Sequence, residues 1–306
     1  MYNPAPSRSS RFRQSRILIV GCGDVGLRVA RQLLPRCRVL ALTTQLERAA
    51  SLRACGVVPL LGDLDRPDTL GRLAGLATWV VHLAPPPGQG EADPRTRHLL
   101  NALSLRGQVR SLVYGSTTGV YGDAGGARFD ETRAVRPATP RAHRRVHAES
   151  LLRWWGRRQA MAHGSRISIL RIPGIYAVDR EGGHPCERVL KGSPVLCQSD
   201  DVYTNHIHAD DLARACVAAL WRGRPGRVVH ACDDNDQLMG DYFDLVADLC
   251  GLPHPPRLSR AEAERALSPL QMSFLSESRR LINHRLKNEL KVPLRYPTVR
   301  EGLHQD

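Results

Sequence analysis

From residue 16 onward, short runs of consecutive apolar residues alternate with longer stretches in which apolar residues recur at helical spacing. Ile17-Leu18-Ile19-Val20 and Val39-Leu40-Ala41-Leu42 predict two buried strands, with helices over 25–35 and 45–54. A third strand is predicted over 57–61 and a short helix near 66–74. Trp79-Val80-Val81-His82-Leu83-Ala84 predicts a fourth strand, stopped by Pro85-Pro86-Pro87, which cannot donate to a ladder. A helix over 95–106, a fifth strand at Ser111-Leu112-Val113-Tyr114, a helix over 139–159 and a strand over 167–171 follow. After residue 176 the rhythm breaks. Residues 177–204 read as irregular; a helix over 211–222 and a strand over 227–232 resume the pattern, and 236–306 read as short helices and loops.

Near-continuous apolar strands alternating with helices predict the α/β class, with a parallel sheet covered on both faces. Right-handed crossovers then make a doubly wound Rossmann sheet the economical topology. The expected organisation is a loose basic tail over 1–15, a dinucleotide-binding domain over 16–176 and a smaller C-terminal substrate lobe over 177–306. Residues 205–232 of that last segment return to the sheet.

Composition changes this picture little. The formal charge of +14 invites a nucleic-acid partner, but the excess is arginine scattered along the chain, with only Lys191, Lys287 and Lys291 as lysines. Aromatic residues are sparse at 5%, so stacking platforms for single strands are few. Both facts weigh against nucleic acid. No apolar run approaches the roughly 20 residues of a membrane span, and the N-terminal stretch lacks the apolar centre of a secretory signal. Eight cysteines without a CxxC pair exclude the usual zinc spacing and argue against a disulfide framework. Cys37, Cys216, Cys232 and Cys250 read as buried small hydrophobes, and a reducing cytoplasm is the expected location.

The candidate chemistry begins at Gly21-Cys22-Gly23-Asp24-Val25-Gly26, directly after the first strand and opening a helix. In such a turn the first glycine permits the tight bend, the second lets the backbone approach a pyrophosphate, and the third lets helix and sheet pack closely. The helix N-terminus adds unpaired N–H groups and a partial positive charge. An NAD site usually carries an acidic residue about 20 positions on, for the ribose 2′-hydroxyl. Here Leu42-Thr43-Thr44-Gln45 offers no carboxylate, and Thr43, Thr44 and Arg48 could receive a 2′-phosphate, which favours NADP over NAD. Asp63 could accept from the adenine amino group or cap the following helix.

Taken in order, several further pieces are similar to the short-chain dehydrogenase/reductase superfamily. They are Gly62-Asp63-Leu64, His82-Leu83-Ala84, Gly115-Ser116-Thr117-Thr118-Gly119-Val120-Tyr121-Gly122, Asp130-Glu131, Ala148-Glu149, Arg171-Ile172-Pro173-Gly174-Ile175-Tyr176 and Asn205-His206-Ile207-His208-Ala209-Asp210-Asp211. Within it the chain resembles the extended NAD-dependent epimerase/dehydratase branch, in its atypical YeeZ-like group. The resemblance implies an NAD(P)-linked oxidoreductase or epimerase-like activity on a small, anionic or nucleotide-linked metabolite. It implies cofactor contacts at Leu64, Leu83, Ala84, Pro85, Ser116 and Pro173, and puts Thr117 at the catalytic Ser/Thr position. It also implies homodimers.

The chain departs from that family's pattern in two places. No Tyr-x-x-x-Lys occurs, and aligning on Ala148-Glu149 puts Arg141 and Arg145 at those positions. Arginine stays protonated, so Arg141 is a poor general acid or base. Val20 also stands where extended members carry the first glycine of GxxGxxG. Tyr121 is then a catalytic candidate with Thr117, against a structural phenol in its turn, and Tyr176 is a second phenol. Arg141, Arg144 and Arg145 could grip a phosphorylated substrate, but a solvated helix face is the expected reading. His206, His208, Asp210 and Asp211 read as a helix start rather than metal ligands. The alternative function is a non-catalytic NADP-binding redox sensor or scaffold.

Overall fold

The computed structural model describes residues 14–303; all but the last two residues of the expected basic tail lie outside that range. Seven strands form the central sheet: β1 (Arg16–Val20), β2 (Arg38–Thr43), β3 (Val58–Leu61), β4 (Trp79–His82), β5 (Ser111–Thr117), β6 (Arg166–Ile172) and β7 (Arg227–His230). Their order is β7-β6-β5-β4-β1-β2-β3 and the sheet is parallel, so the Rossmann expectation holds. Ile17 pairs with Val39 on one side and with Trp79 on the other, and Ile17 to Val20 are wholly enclosed. A run of four apolar residues is what a strand with both faces covered requires. The chain runs outward from β1 to β3 and then returns to β4, so the order reverses between β1 and β4. In open α/β sheets the crevice at such a reversal, beyond the carboxyl ends of the strands, is where ligands bind.

Helices α1 (Asp24–Leu33), α2 (Arg48–Ala54), α3 (Pro94–Ser104), α4 (Pro140–His163), α5 (Pro185–Leu190), α6 (Ala209–Arg222) and α7 (Met239–Cys250) carry the crossovers and much of the remaining chain. Local chemistry sets their ends. Asp93 caps α3 by accepting from the Thr96 amide, with Pro94 in the first turn, and Gly251 closes α7 at φ 64°. Helix α2 starts three residues later than expected, because the Gln45 amide donates to Thr43 Oγ1 and holds a local turn there. Strand β4 stops at His82, two residues early, since the Leu83 and Ala84 amides turn to the Val20 carbonyl at 2.7 and 2.9 Å. Strand β5 runs on through Thr117, past its apolar run. Its polar Ser116 is satisfied by donating to Glu149 Oε1 at 2.7 Å.

The described chain divides into two compact units. One comprises His147–Ile169 and Cys216–Arg227 with the described residues up to Ser116; the other comprises Thr117–Val146, Leu170–Ala215 and the described residues from Val228 on. The second unit has its own apolar core, in which Tyr176, Val189, Leu196, Val202, Tyr242 and Val246 are buried. Here the structure corrects the cysteine reading: Cys186 and Cys250 form a disulfide across a separation of 64 residues, with Cα atoms 6.3 Å apart. Cys250 is half-buried and bonded rather than a small hydrophobe. Arg144 is likewise not on a solvated face; it is buried.

Candidate functional site

The glycine turn lies at the carboxyl end of β1, where the sheet order reverses. A Cβ on Gly21 would sit 2.2 Å from the Ala84 amide nitrogen, and Gly21 has φ +89°, so both space and backbone exclude other residues. A Cβ on Gly26 would meet the Gly21 carbonyl oxygen at 2.9 Å. Gly23 is different. Nothing lies within 4 Å of its missing Cβ, and it precedes α1 without any side-chain capping bond. Two glycines therefore make the turn compact, while the third leaves open room in front of the amides of a helix start. That arrangement fits a dinucleotide diphosphate.

The other expected cofactor residues in this unit fall around the same end of the sheet. Arg48 donates through Nη2 to the Cys22 carbonyl at 2.8 Å, which ties the start of α2 to the turn. Thr44 is exposed, and Thr43 is engaged by Gln45. Asp63 Oδ1 accepts from the Asp65 amide at 2.9 Å in a local turn, and it does not cap the following short helix, which starts at Pro67 with Arg66 as its N-cap and no side-chain capping bond. Leu64 is buried and its carbonyl meets His98 Nδ1 at 2.7 Å, while Leu83 and Ala84 are half-buried beside the exposed Pro85. Ser116 is buried with its hydroxyl spent on Glu149. Asp24 pairs with Arg28 at 3.0 Å, within one turn of α1 beside Val25. Cys22 is an inert thiol, because burial pushes it up to about 11.

The second unit holds a cavity of about 540 Å³. Thr117, Arg141, Pro173, Arg188, Tyr203 and His206 are among its lining residues. Thr117 is half-buried at the end of β5 and accepts from the Gly119 amide at 3.3 Å. The expected phenols do not line it. Tyr121 is fully enclosed with its hydroxyl 2.6 Å from His230 Nε2, and Tyr176 is buried with its hydroxyl donating to the Thr298 carbonyl at 3.1 Å. Their geometry is that of structural phenols. Tyr203, which no motif singled out, is the tyrosine that lines the cavity, with the Arg280 guanidinium 4.6 Å from its ring centroid.

His206 stacks on Tyr242 with centroids 4.0 Å apart, and burial, aided by Arg188, pushes it down to about 3. It is neutral at ordinary pH. His208 Nδ1 accepts from the Asp210 amide at 3.2 Å, and Asp211 accepts from the Arg295 and Tyr296 amides at 2.9 Å. The segment does open α6 at Ala209 and His208 bonds locally there, while His206 serves the packing and Asp211 braces the distant Arg295–Tyr296 backbone. Among the described residues, no group of three or more His, Cys, Asp or Glu is placed to hold a metal.

A family model described as the NAD-dependent epimerase/dehydratase family matches residues 17–232. The chain belongs to that family. It is similar to GDP-6-deoxy-D-mannose reductase of Pseudomonas aeruginosa, at 29% identity over 68% of this chain and 77% of that protein. A conserved protein of unknown function from Silicibacter pomeroyi has the same fold, with TM-score 0.78 and 30% identity over 94% of this chain and 96% of its own. UDP-glucose 4-epimerase from Thermotoga maritima, solved with UDP-glucose, aligns with TM-score 0.74 at 18% identity over 94% and 96% of the two chains. Inside this epimerase/dehydratase family, then, stands a chain with arginine at position 141. No helix among the described residues is long and apolar enough to cross a membrane.

Proposed function

We propose that this member of the family is an NAD(P)-dependent oxidoreductase of the epimerase or dehydratase type, acting on a small metabolite held in the cavity of the second unit. The observation that carries the reading is the contrast within the glycine turn. Gly21 and Gly26 are pressed against backbone, while Gly23 opens on free space at an uncapped helix start. NADP is preferred over NAD in this reading, because Arg48 stands after β2 where a ribose-binding carboxylate is missing. The bound dinucleotide supplies a hydride donor or acceptor.

The residues around the cavity then have separate tasks. Thr117 hydrogen-bonds the oxygen of a substrate hydroxyl or carbonyl. On reduction the Tyr203 phenol gives its proton to that oxygen and becomes a phenolate, and on oxidation the phenolate takes the proton back. Arg141 stays charged and orients the substrate. A second reading, cofactor binding without turnover, draws on the same Arg141, since a permanent cation replaces the phenol that the family resemblance places there.

Calorimetric titration with NADP(H) and NAD(H), repeated on Gly23→Trp, tests the first step. Saturable binding that the variant abolishes is expected; equal binding by the variant removes the glycine turn from the account. Incubation with NADP⁺ and a panel of hydroxy compounds then separates the two readings. Reduction of the cofactor by at least one compound establishes the enzyme, and binding with no turnover across the panel leaves the sensor.

A further inference from the structure

Arg95 stands in the first turn of α3, just after Asp93 and Pro94, where the helix has no acidic residue. A cation there faces the positive end of the helix dipole, the less favoured place for it. Its contacts explain the position. Nε and Nη2 donate to the two carboxylate oxygens of Asp65 at 2.8 and 2.6 Å, and Nη1 donates to the Pro85 carbonyl at 3.1 Å. One guanidinium therefore holds two loops, the one after β3 and the one after β4. Further along α3, His98 Nδ1 donates to the Leu64 carbonyl at 2.7 Å, a second tie to the loop after β3.

Both loops lead to residues of the candidate cofactor site. The Asp65 amide donates to Asp63 Oδ1 at 2.9 Å, so fixing Asp65 also holds the Asp63 carboxylate. On the other loop, Pro85 follows Ala84, whose amide nitrogen lies 2.2 Å from where a Gly21 Cβ would sit. Pro85, Pro86 and Pro87 carry no amide hydrogen, so this stretch can be fastened only through its carbonyls and its packing. Arg95 takes the first of those carbonyls. All of these residues belong to the first unit.

The Asp65 side chain is 46% exposed and that of Arg95 27%, so the ion pair itself adds little to the stability of the fold. What it adds is order. A bidentate fork fixes direction as well as distance, and loops set beforehand do not have to be ordered when a ligand arrives. The Arg95 hydrogen bonds hold the Asp65 carboxyl below the usual carboxylate range, so the pair stays charged at ordinary pH.

We infer that Arg95 is a positioning residue for the dinucleotide. By clasping Asp65 and the Pro85 carbonyl it presets the two loops that flank the adenine side of the cofactor, without touching the cofactor itself. The inference rests on the glycine turn being the cofactor site of the proposed function and adds the device that shapes that site.

The test titrates the full chain with NADP(H) and NAD(H) by calorimetry. Arg95→Met and Asp65→Ala should each weaken both cofactors by about fivefold or more, because ordering the loops then draws on the binding free energy. The double variant should lose no more than either single one, as members of one clasp do. Arg95→Lys keeps the charge but not the fork and should recover part of the loss. Arg97→Met, at an exposed position of the same helix, should change nothing. Melting temperatures of the cofactor-free variants should stay close to the parent's, which separates presetting of the loops from support of the fold. Full affinity in both Arg95→Met and Asp65→Ala overturns the inference. So do losses that add in the double variant, losses confined to NADP(H), or losses that track a fall in melting temperature. Gly23→Trp keeps the two ideas apart. Wild-type binding that this variant abolishes and Arg95→Met leaves intact sinks the clasp alone, whereas no binding by the wild type sinks the cofactor reading and the clasp with it.

Discussion

The Tyr121 hydroxyl and His230 Nε2 lie 2.6 Å apart, and both side chains are wholly enclosed. His230 Nδ1 meets the Ile282 carbonyl at 3.0 Å, and a carbonyl can only accept, so the ring proton sits on Nδ1 and the phenol donates to Nε2. This fixes the role of Tyr121 as internal support. Tyr121→Phe should leave turnover close to wild type while lowering stability by roughly 1–3 kcal/mol, the cost of an unsatisfied buried acceptor. Thr117→Val should do the reverse, cutting kcat/KM with little change in the urea midpoint. Paired denaturation and kinetic measurements check both. A loss of turnover in Tyr121→Phe with unchanged stability would restore the phenol to catalysis.

Burial holds His230 down at about 4 and His206 at about 3, against an unfolded value near 6.5. Each imidazole is thus neutral in the folded chain over a range where the unfolded chain binds a proton. Stability from these two groups is complete above pH 6.5 and falls as pH drops below it, down to about pH 3–4, where the folded forms also protonate. Urea unfolding at pH 7.5 and pH 5 should show the lower stability at pH 5. His206→Asn should reduce that difference; an equal pH dependence in the variant would deny His206 its share.

Gly21 and Gly23 offer one chemical change with two opposite readouts. Gly21→Ala drives a methyl to 2.2 Å from the Ala84 nitrogen in a backbone of φ +89°, so it should destabilise the fold strongly. Gly23→Ala meets nothing within 4 Å, so it should fold normally and lose cofactor affinity because it fills the room the diphosphate needs. Thermal melts and NADP(H) titrations on the two variants give the answer. Unchanged affinity in Gly23→Ala would mean that the open space serves something else.

The strands were legible because burial on both faces writes itself as uninterrupted apolar residues, as in Ile17 to Val20, which are all enclosed. The glycine turn was legible because its three positions answer to local sterics. The cavity was not. Arg188 and Tyr203 come from a segment without strand or helix periodicity, and only tertiary packing brings them to one cavity. Tyr121 stood open between a catalytic and a structural phenol because sequence shows a phenol near Thr117 but not the His230 ring 109 positions away that engages it. The pairing of Cys186 with Cys250 left no trace for the same reason, since neither residue has a neighbouring cysteine at a recognisable spacing.

Arg48 separates the two dinucleotides. One Nη2 bond holds it to the Cys22 carbonyl at 2.8 Å, and the remaining donors of a half-buried guanidinium stay available at the end of β2. Arg48→Leu should weaken NADP(H) by about tenfold or more through loss of a charge-assisted phosphate contact, and leave NAD(H) within about threefold. Side-by-side titrations decide it. Equal losses for both cofactors would assign Arg48 to bracing the turn alone.

The disulfide ties α5, which carries Arg188, to the last residue of α7. A six-residue helix has little stability of its own, so α5 depends on this bond and on packing of Val189 into the second unit's core. Closing a loop of 64 residues removes unfolded-state entropy equivalent to about 4 kcal/mol in the chain-entropy model. The double variant Cys186→Ala/Cys250→Ala, or the wild type in dithiothreitol, should therefore unfold at clearly lower urea. Amide hydrogen exchange over α5 should rise more than over β1, because the bond restrains the former and not the latter. Identical unfolding midpoints with and without reductant, with the thiols confirmed free by mass, would show that the bridge contributes nothing to the fold.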